Sequence, residues 1–460
     1  MDTYTNLIDR VLANPQDYSF DVSRLGECKI DSPIRGRNFV KDGTRCALSP
    51  DLVPGRDGGL ALPSGMPSLE KAGAHAKIFH DPAWSRAAIL TAGGLCPGLN
   101  HVIKALVEIL SFDYGIKTIY GIRYGYRGFI AKYGYAPIML DPDKVDTIHE
   151  LGGTILGSSR GGQDVGEIVD TLTRMNINLL FCVGGDGTLR GAHDIAEECA
   201  RRRLAVSVVG VPKTVDNDLN FVGNSFGFET AVAATSPIIQ AAHIEARGTV
   251  NGVGLVKLMG RDSGFIAAAA SIANPVVNFC LVPEVAFTLE GEGGLLTAIE
   301  RRFAKGKSHS VVVVAEGAGQ ELLEGAEQRD ASGNVLKKDI GEFLKRKCTE
   351  YFKAKGIESS VKYFDPSYII RSCPARGTDA LRCYMLARAA VHAAMAGRTD
   401  CVVGNIGESY ALVPIALATI ERQKIYTDSA LWHCVLDATG QEYYFKGESR
   451  GASSADAFAP

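Results

Sequence analysis

Five apolar runs, ending at Thr91, Val183, Val211, Met259 and Ala315, each pass directly into a loop rich in Gly, Asp, Glu, Arg or Lys. Helically spaced apolar stripes lie between them, such as Val102, Ile103, Leu106, Val107 and Leu110, then Leu189, Ala192, Ile195, Ala196 and Cys199. Short apolar strands alternating with amphipathic helices pack well in one way, as parallel sheets with helices on both faces. Ligands in such sheets bind where loops leave the carboxyl ends of strands, and all five loops stand at such ends. The expected class is α/β, with two Rossmann-like doubly wound domains, mostly parallel sheets and an extended N-terminal arm.

A chain of 460 residues is too long for one typical core. Residues 1–84 are rich in Pro, Gly and Asp and carry little periodicity, so they are expected to form an arm that wraps a core or a neighbouring subunit. Two domains are expected at 85–218 and 219–374, a returning segment shared between them at 375–446, and a disordered tail at 447–460. Strands are expected at 177–183, 204–211, 253–259, 278–283 and 310–315, and helices at 188–201, 294–305 and 337–355. A net charge of −3 points to neither a nucleic-acid nor a membrane-surface partner. The eleven cysteines contain no C-x-x-C pair and no zinc spacing, which fits a reducing compartment. Met1 to Asn14 has no secretory pattern and the chain does not end in a peroxisomal tripeptide, so the cytoplasm is expected.

Gly184-Gly185-Asp186-Gly187-Thr188 follows the apolar run 177–183 and precedes a helical stripe. Glycines admit phosphates to the backbone, the helix start offers free N–H groups, and Asp186 can hold a hard cation. An ordinary strand-to-helix turn uses the same residue types. Pro212-Lys213-Thr214-Val215-Asp216-Asn217-Asp218 follows a second strand. If extended, it places Asp216 and Asp218 on one face with Thr214, the pattern of a general base beside a tuning carboxylate. Met259-Gly260-Arg261, Glu316-Gly317 and Tyr368-Ile369-Ile370-Arg371 stand at further strand ends, the last expected to close a β-like run. Each of these, taken singly, equally describes a solvated strand end.

In this order, with the glycine-rich loop 93–100, these segments resemble the phosphofructokinase family over roughly residues 85 to 420. The long N-terminal arm and the Lys in Pro-Lys-Thr-Val-Asp-Asn-Asp match the branch holding the ATP-dependent enzymes of plants and trypanosomatids. The resemblance implies transfer of the γ-phosphoryl of ATP to the 1-hydroxyl of fructose 6-phosphate, with Mg²⁺, in an allosteric homotetramer of glycolysis. Residues 85–218 would then bind the nucleotide and 219–374 the sugar phosphate. Gly94, Arg160, Gly161, Gly185, Asp186, Gly187 and Thr188 would bind ATP, with Asp186 on the metal side. Thr214 and Asp216 would face the transferred phosphoryl, Asp216 taking the proton. Met259, Gly260 and Arg261, with Glu316, Tyr368 and Arg371, would bind the sugar phosphate. Arg261 would also serve the reaction.

Alternatives stay open at this point. Pyrophosphate-dependent relatives share Lys213 but carry Asp at position 187, where it would repel a nucleotide's α-phosphate; Gly187 leaves that space open and favours ATP. Lipid and NAD kinases share only the Gly-Gly-Asp-Gly-Thr segment. A non-catalytic regulatory paralogue is expected to have lost the base, and Asp216 is intact. Relative to the short bacterial enzymes, a His-Ile-Gln-Arg-Gly-Gly stretch is replaced by Cys373-Pro374-Ala375-Arg376-Gly377-Thr378, and an arginine nine residues before Arg261 by Gly252. Their effector sites therefore do not transfer.

Overall fold

The computed structural model describes residues 7–35, 39–54, 59–63, 65–325 and 336–441; the tail expected from residue 447 lies outside the described residues. The chain folds as two compact units, each discontinuous in sequence. One takes the chain up to Ala231 together with Ile369–Gln423, and the other runs from Val232 through Tyr368 and resumes at Lys424.

In chain order the strands of the two larger sheets are β1 (Arg45–Ala47), β2 (Ser68–Lys71), β3 (Arg86–Thr91), β4 (Thr118–Ile122), β5 (Ile138–Leu140), β6 (Leu179–Gly184) and β7 (Ser207–Pro212). They continue with β8 (Gly252–Leu258), β9 (Phe279–Leu281), β10 (His309–Ala315), β11 (Ser360–Phe364), β12 (Cys401–Ile406) and β13 (Ser409–Pro414).

The first unit is built on a nine-stranded sheet in the order β5-β4-β3-β6-β7-β12-β13-β2-β1. Its five inner strands β4, β3, β6, β7 and β12 are parallel. Antiparallel strands edge them on both sides. The chain leaves β3 towards β4 on one side and returns to β6 on the other. The strand order therefore reverses at the carboxyl ends of β3 and β6, the position where open α/β sheets take ligands. Every residue of β6 and β7 is buried, which is why both read as unbroken apolar runs. Helix Asp186–Arg201 covers the sheet with Leu189, Ala192, Ile195 and Cys199, all in one core with Leu180, Cys182 and Val208.

The described residues before β3 pack on the first unit. Helix Leu7–Ala13 sinks Leu7 and Val11 into this same core, and β1 and β2 extend the sheet beyond β13. The sequence pattern hides them because β1 is three residues long and partly exposed.

The second unit holds the four-stranded, wholly parallel sheet β9-β10-β8-β11. Val253, Leu255, Val312 and Val314 pack there against Leu295 and Ile299 of helix Leu295–Ala304 and against Leu344 and Phe352 of helix Ile340–Ala354. Among the described residues, no helix is long and apolar enough to cross a membrane.

Candidate active site

The glycine loop after β3 lies beside the loop after β6, joined where Ala92 N donates to Val183 O at 3.0 Å. Gly93 adopts φ +86°, a conformation that costs glycine nothing. A Cβ there would stand 3.1 Å from Lys213 Nζ, and one on Gly94 would stand 3.7 Å from Arg371 Nη1 and 3.8 Å from Arg160 Nη2. Three cationic side chains thus converge on two glycines. Lys213 Nζ also donates to Gly94 O at 2.8 Å. Burial pulls the Lys213 pKa below the ordinary lysine value. Arg160 is carried by a segment fastened to the same loop, since Gly93 N donates to Ser159 O at 3.1 Å and Ser158 Oγ to Gly93 O at 2.5 Å. Gly161, next in that segment, has φ +94°.

Across β6, Asp186 opens the helix that runs to Arg201, and Gly185 is its N-cap. The Thr188 side chain fills the space that a Cβ on Gly184 would need. Thr188 N and Leu189 N both donate to Gly185 O, at 2.9 and 3.0 Å. A Cβ on Gly187 would meet nothing within 4 Å.

The segment after β7 departs from expectation: it is a turn, not an extended strand. Asn217 takes φ +54°, tolerable for Asn because its side chain bonds locally, here accepting from Ser225 N at 2.9 Å. Thr214 and Asp218 still meet, Thr214 Oγ1 donating to Asp218 Oδ1 at 2.5 Å. Asp216 N donates to Thr214 Oγ1 at 3.3 Å. Burial pushes the Asp218 pKa up, against the Thr214 hydrogen bond and the Arg422 charge.

Two arginines missed by sequence reasoning stand at these carboxylates. Arg190 Nε lies 3.1 Å from Asp186 Oδ1, an i,i+4 pair that helix spacing alone could have revealed. Arg422 Nε is 3.9 Å from Asp186 Oδ2 and 3.8 Å from Asp218 Oδ2, and no local pattern announces it.

In the second unit, Met259 and Gly260 follow β8 directly. Glu316 N donates to Leu258 O and Gly317 N to Gly260 O, both at 2.9 Å, which ties Glu316 to the strand exit that carries Arg261. Gly260 sits at φ +135° with its Cβ position 2.6 Å from Ser263 O, so no other residue fits. Residues Ser367–Arg371 form a short helix, which corrects the β-like run expected there. Asp365 starts it, accepting from Ser367 N at 3.1 Å and Ser367 Oγ at 2.6 Å. Tyr368 is exposed in the second unit, while Arg371 belongs to the first and faces Gly94.

Among the described residues, no group of three or more His, Cys, Asp or Glu side chains is gathered to hold a metal. Mg²⁺ is commonly held by one or two carboxylates plus substrate phosphates, and Asp186 and Asp218 fit that donor set.

The family description Phosphofructokinase matches residues 86–394. An "ATP-dependent 6-phosphofructokinase" of Borreliella burgdorferi is 46% identical over 94% of this chain and 98% of its own length. One of the same name from Trypanosoma brucei brucei is 47% identical over 80% of this chain and 76% of its own. The crystal structure of a pyrophosphate-dependent phosphofructokinase from Marinobacter aquaeolei shares the fold, with a TM-score of 0.64 at 21% identity over 77% of this chain and 91% of that one. Matched over most of its length by sequence and in architecture by structure, the chain belongs to the phosphofructokinase family.

Proposed function

We propose that the chain is an ATP-dependent 6-phosphofructokinase, moving the γ-phosphoryl of ATP to the 1-hydroxyl of fructose 6-phosphate to give fructose 1,6-bisphosphate and ADP. The observation that carries this reading is the convergence of Lys213, Arg160 and Arg371 on the Gly93–Gly94 backbone, beside the turn that bears Thr214 and Asp216. Phosphoryl transfer asks for positioning and for positive charge around the equatorial oxygens, and these three cations supply it. Gly185, Gly187 and Thr188 give the nucleotide phosphates backbone approach. Asp216 takes the proton from the attacking hydroxyl, and Thr214 meets the transferred phosphoryl by turning its hydroxyl donor from Asp218 to a phosphoryl oxygen. Met259, Gly260, Arg261, Glu316 and Tyr368 hold the sugar phosphate.

Asp186 and Asp218 would hold Mg²⁺, which when bound neutralises charge on the β- and γ-phosphates. We also read the assembly as a homotetramer, as the resemblance to the family implies. The compartment we read as the cytoplasm, since all eleven cysteines are free thiols.

The test compares ATP and pyrophosphate as donors, in kcat/KM with fructose 6-phosphate, for wild type and Gly187→Asp. The open space at Gly187 means that the variant adds charge without a clash. Gly187 is exposed, and two like charges about 4 Å apart near a protein surface repel by about 4 kcal/mol, so ATP use should fall by about two orders of magnitude. A wild-type preference for pyrophosphate would overturn the donor. Unchanged ATP use in the variant would show that position 187 does not face the α-phosphate.

A further inference from the structure

Asp186 and Asp218 come from different loops of the first unit, and one guanidinium stands at both. Arg422 Nε is within 3.9 Å of each carboxylate, with side-chain exposures of 14% for Asp186, 10% for Asp218 and 27% for Arg422. The segment that delivers Arg422 is fastened along its length. Gln423 N donates to Asp218 O at 2.8 Å, Arg422 forms a bridge with Leu219, and Asn220 Nδ2 donates to Glu421 O at 2.6 Å. Arg190, itself paired with Asp186, donates to Thr419 O at 3.0 Å. On its other side, Glu421 pairs with Arg10 of the N-terminal helix at 2.5 Å. A solvated surface arginine has no such backbone framing.

Arg190 is 56% exposed and is paired with Asp186, so without Arg422 the two carboxylates would keep only that solvated counter-charge, repel each other and attract a divalent cation. In an ATP-dependent kinase the metal is held by one or two carboxylates together with the nucleotide phosphates, and a metal taken up alone changes the charge that the nucleotide meets. We propose that Arg422 is a positioning residue of the donor site, a resident cation that holds Asp186 and Asp218 in place and keeps free divalent metal out until nucleotide phosphates bring it. This rests on the kinase reading above. Arg10, through Glu421, fixes the segment and so connects the N-terminal helix to the electrostatics of the donor site.

Mn²⁺ binding to the nucleotide-free full-length protein, read from the electron paramagnetic resonance signal of the free ion, tests it. Arg422→Gln should bind Mn²⁺ about tenfold tighter than wild type or more, a modest fraction of the attraction a removed charge near 4 Å implies. Arg422→Lys should stay near wild type, and Arg10→Ala should shift in the same direction as Arg422→Gln by a smaller factor. In turnover, Arg422→Gln should gain inhibition by excess free Mg²⁺ while KM for fructose 6-phosphate holds. Equal Mn²⁺ affinity in wild type and Arg422→Gln overturns the proposal, as does Lys behaving like Gln. Should Arg422→Gln not fold, Arg10→Ala decides by the same signal: unchanged affinity there overturns it. Absence of ADP formation by wild type would sink the kinase reading separately, because the Mn²⁺ comparison needs no turnover.

Discussion

Asp216 and Asp218 lie two positions apart on one turn. Asp218 is spoken for: it accepts the Thr214 hydroxyl, faces Arg422, and its backbone carbonyl takes Gln423 N. We therefore assign the proton to Asp216, whose backbone N donates to the Thr214 hydroxyl oxygen on the same turn. Asp216→Asn should lower kcat by about two to four orders of magnitude, the usual worth of a positioned base, with KM for ATP little changed. Steady-state kinetics beside an unfolding scan checks this; near-normal turnover in a folded variant would remove Asp216 from the role. Sequence alone expected the wrong backbone here. Alternation along an extended strand was the simplest way to put Thr214, Asp216 and Asp218 together, whereas Asn217 in the left-handed region does it with a turn held by Ser225.

Among the secondary elements, the exit of β8 is held by an ion cluster around the buried Lys257. Lys257 Nζ lies 3.1 Å from Asp339 Oδ2 and 2.9 Å from Asp365 Oδ2. Tyr363 OH donates to Asp339 Oδ1 at 3.0 Å, and the same oxygen caps helix Ile340–Ala354 through Gly341 N at 2.9 Å. Burial alone would lower the Lys257 pKa, but hydrogen bonds to Asp365, Tyr363 and Asp339 outweigh it and hold the ammonium above the ordinary lysine value. A raised lysine pKa stabilises the fold fully below the unfolded value and is lost only as pH climbs through the folded one. The contribution is therefore complete at neutral pH and disappears only in strong alkali.

Lys257→Met should strand two carboxylates. Asp339 and Asp365 are 44% and 36% exposed, so water offsets part of the loss and about 1–2 kcal/mol is expected. Because Lys257 precedes Met259 and Asp365 precedes Tyr368, KM for fructose 6-phosphate should rise several-fold while KM for ATP holds. A fall in Tm with both constants unmoved would make the cluster purely structural. The strand-and-helix alternation that carries β3, β6, β7, β8 and β10 was legible because each of these strands is buried almost throughout. The short helix Ser367–Arg371 was not, because its start is set by the side chain of Asp365 and not by the apolar pattern.

For the molecule as a whole, the first eighty residues are the segment whose importance the sequence understates. Deleting residues 1–70 would remove Leu7, Val11 and Leu69 from the core, each worth about 1.5–3 kcal/mol when buried, and would strip β1 and most of β2 from β13. The truncated chain should lose several kcal/mol of stability and aggregate through the bared β13 edge. Size-exclusion chromatography with light scattering and a denaturant titration would show this. A truncated protein of native mass and stability would mean that these contacts add little.

The strand order also dictates a schedule. β12 and β13 stand between β7 and β2, so the N-terminal strands cannot join the parallel core until residues 401–414 exist. At roughly 5–20 residues per second, a ribosome needs on the order of tens of seconds to travel from Pro212 to Pro414. Throughout that interval the nascent first unit carries two open sheet edges, and the whole chain of the second unit up to Tyr368 emerges meanwhile. Slow refolding from denaturant, set by closure of this long loop, is the expected consequence of placing the β12–β13 hairpin between β7 and β2, and stopped-flow refolding would measure it.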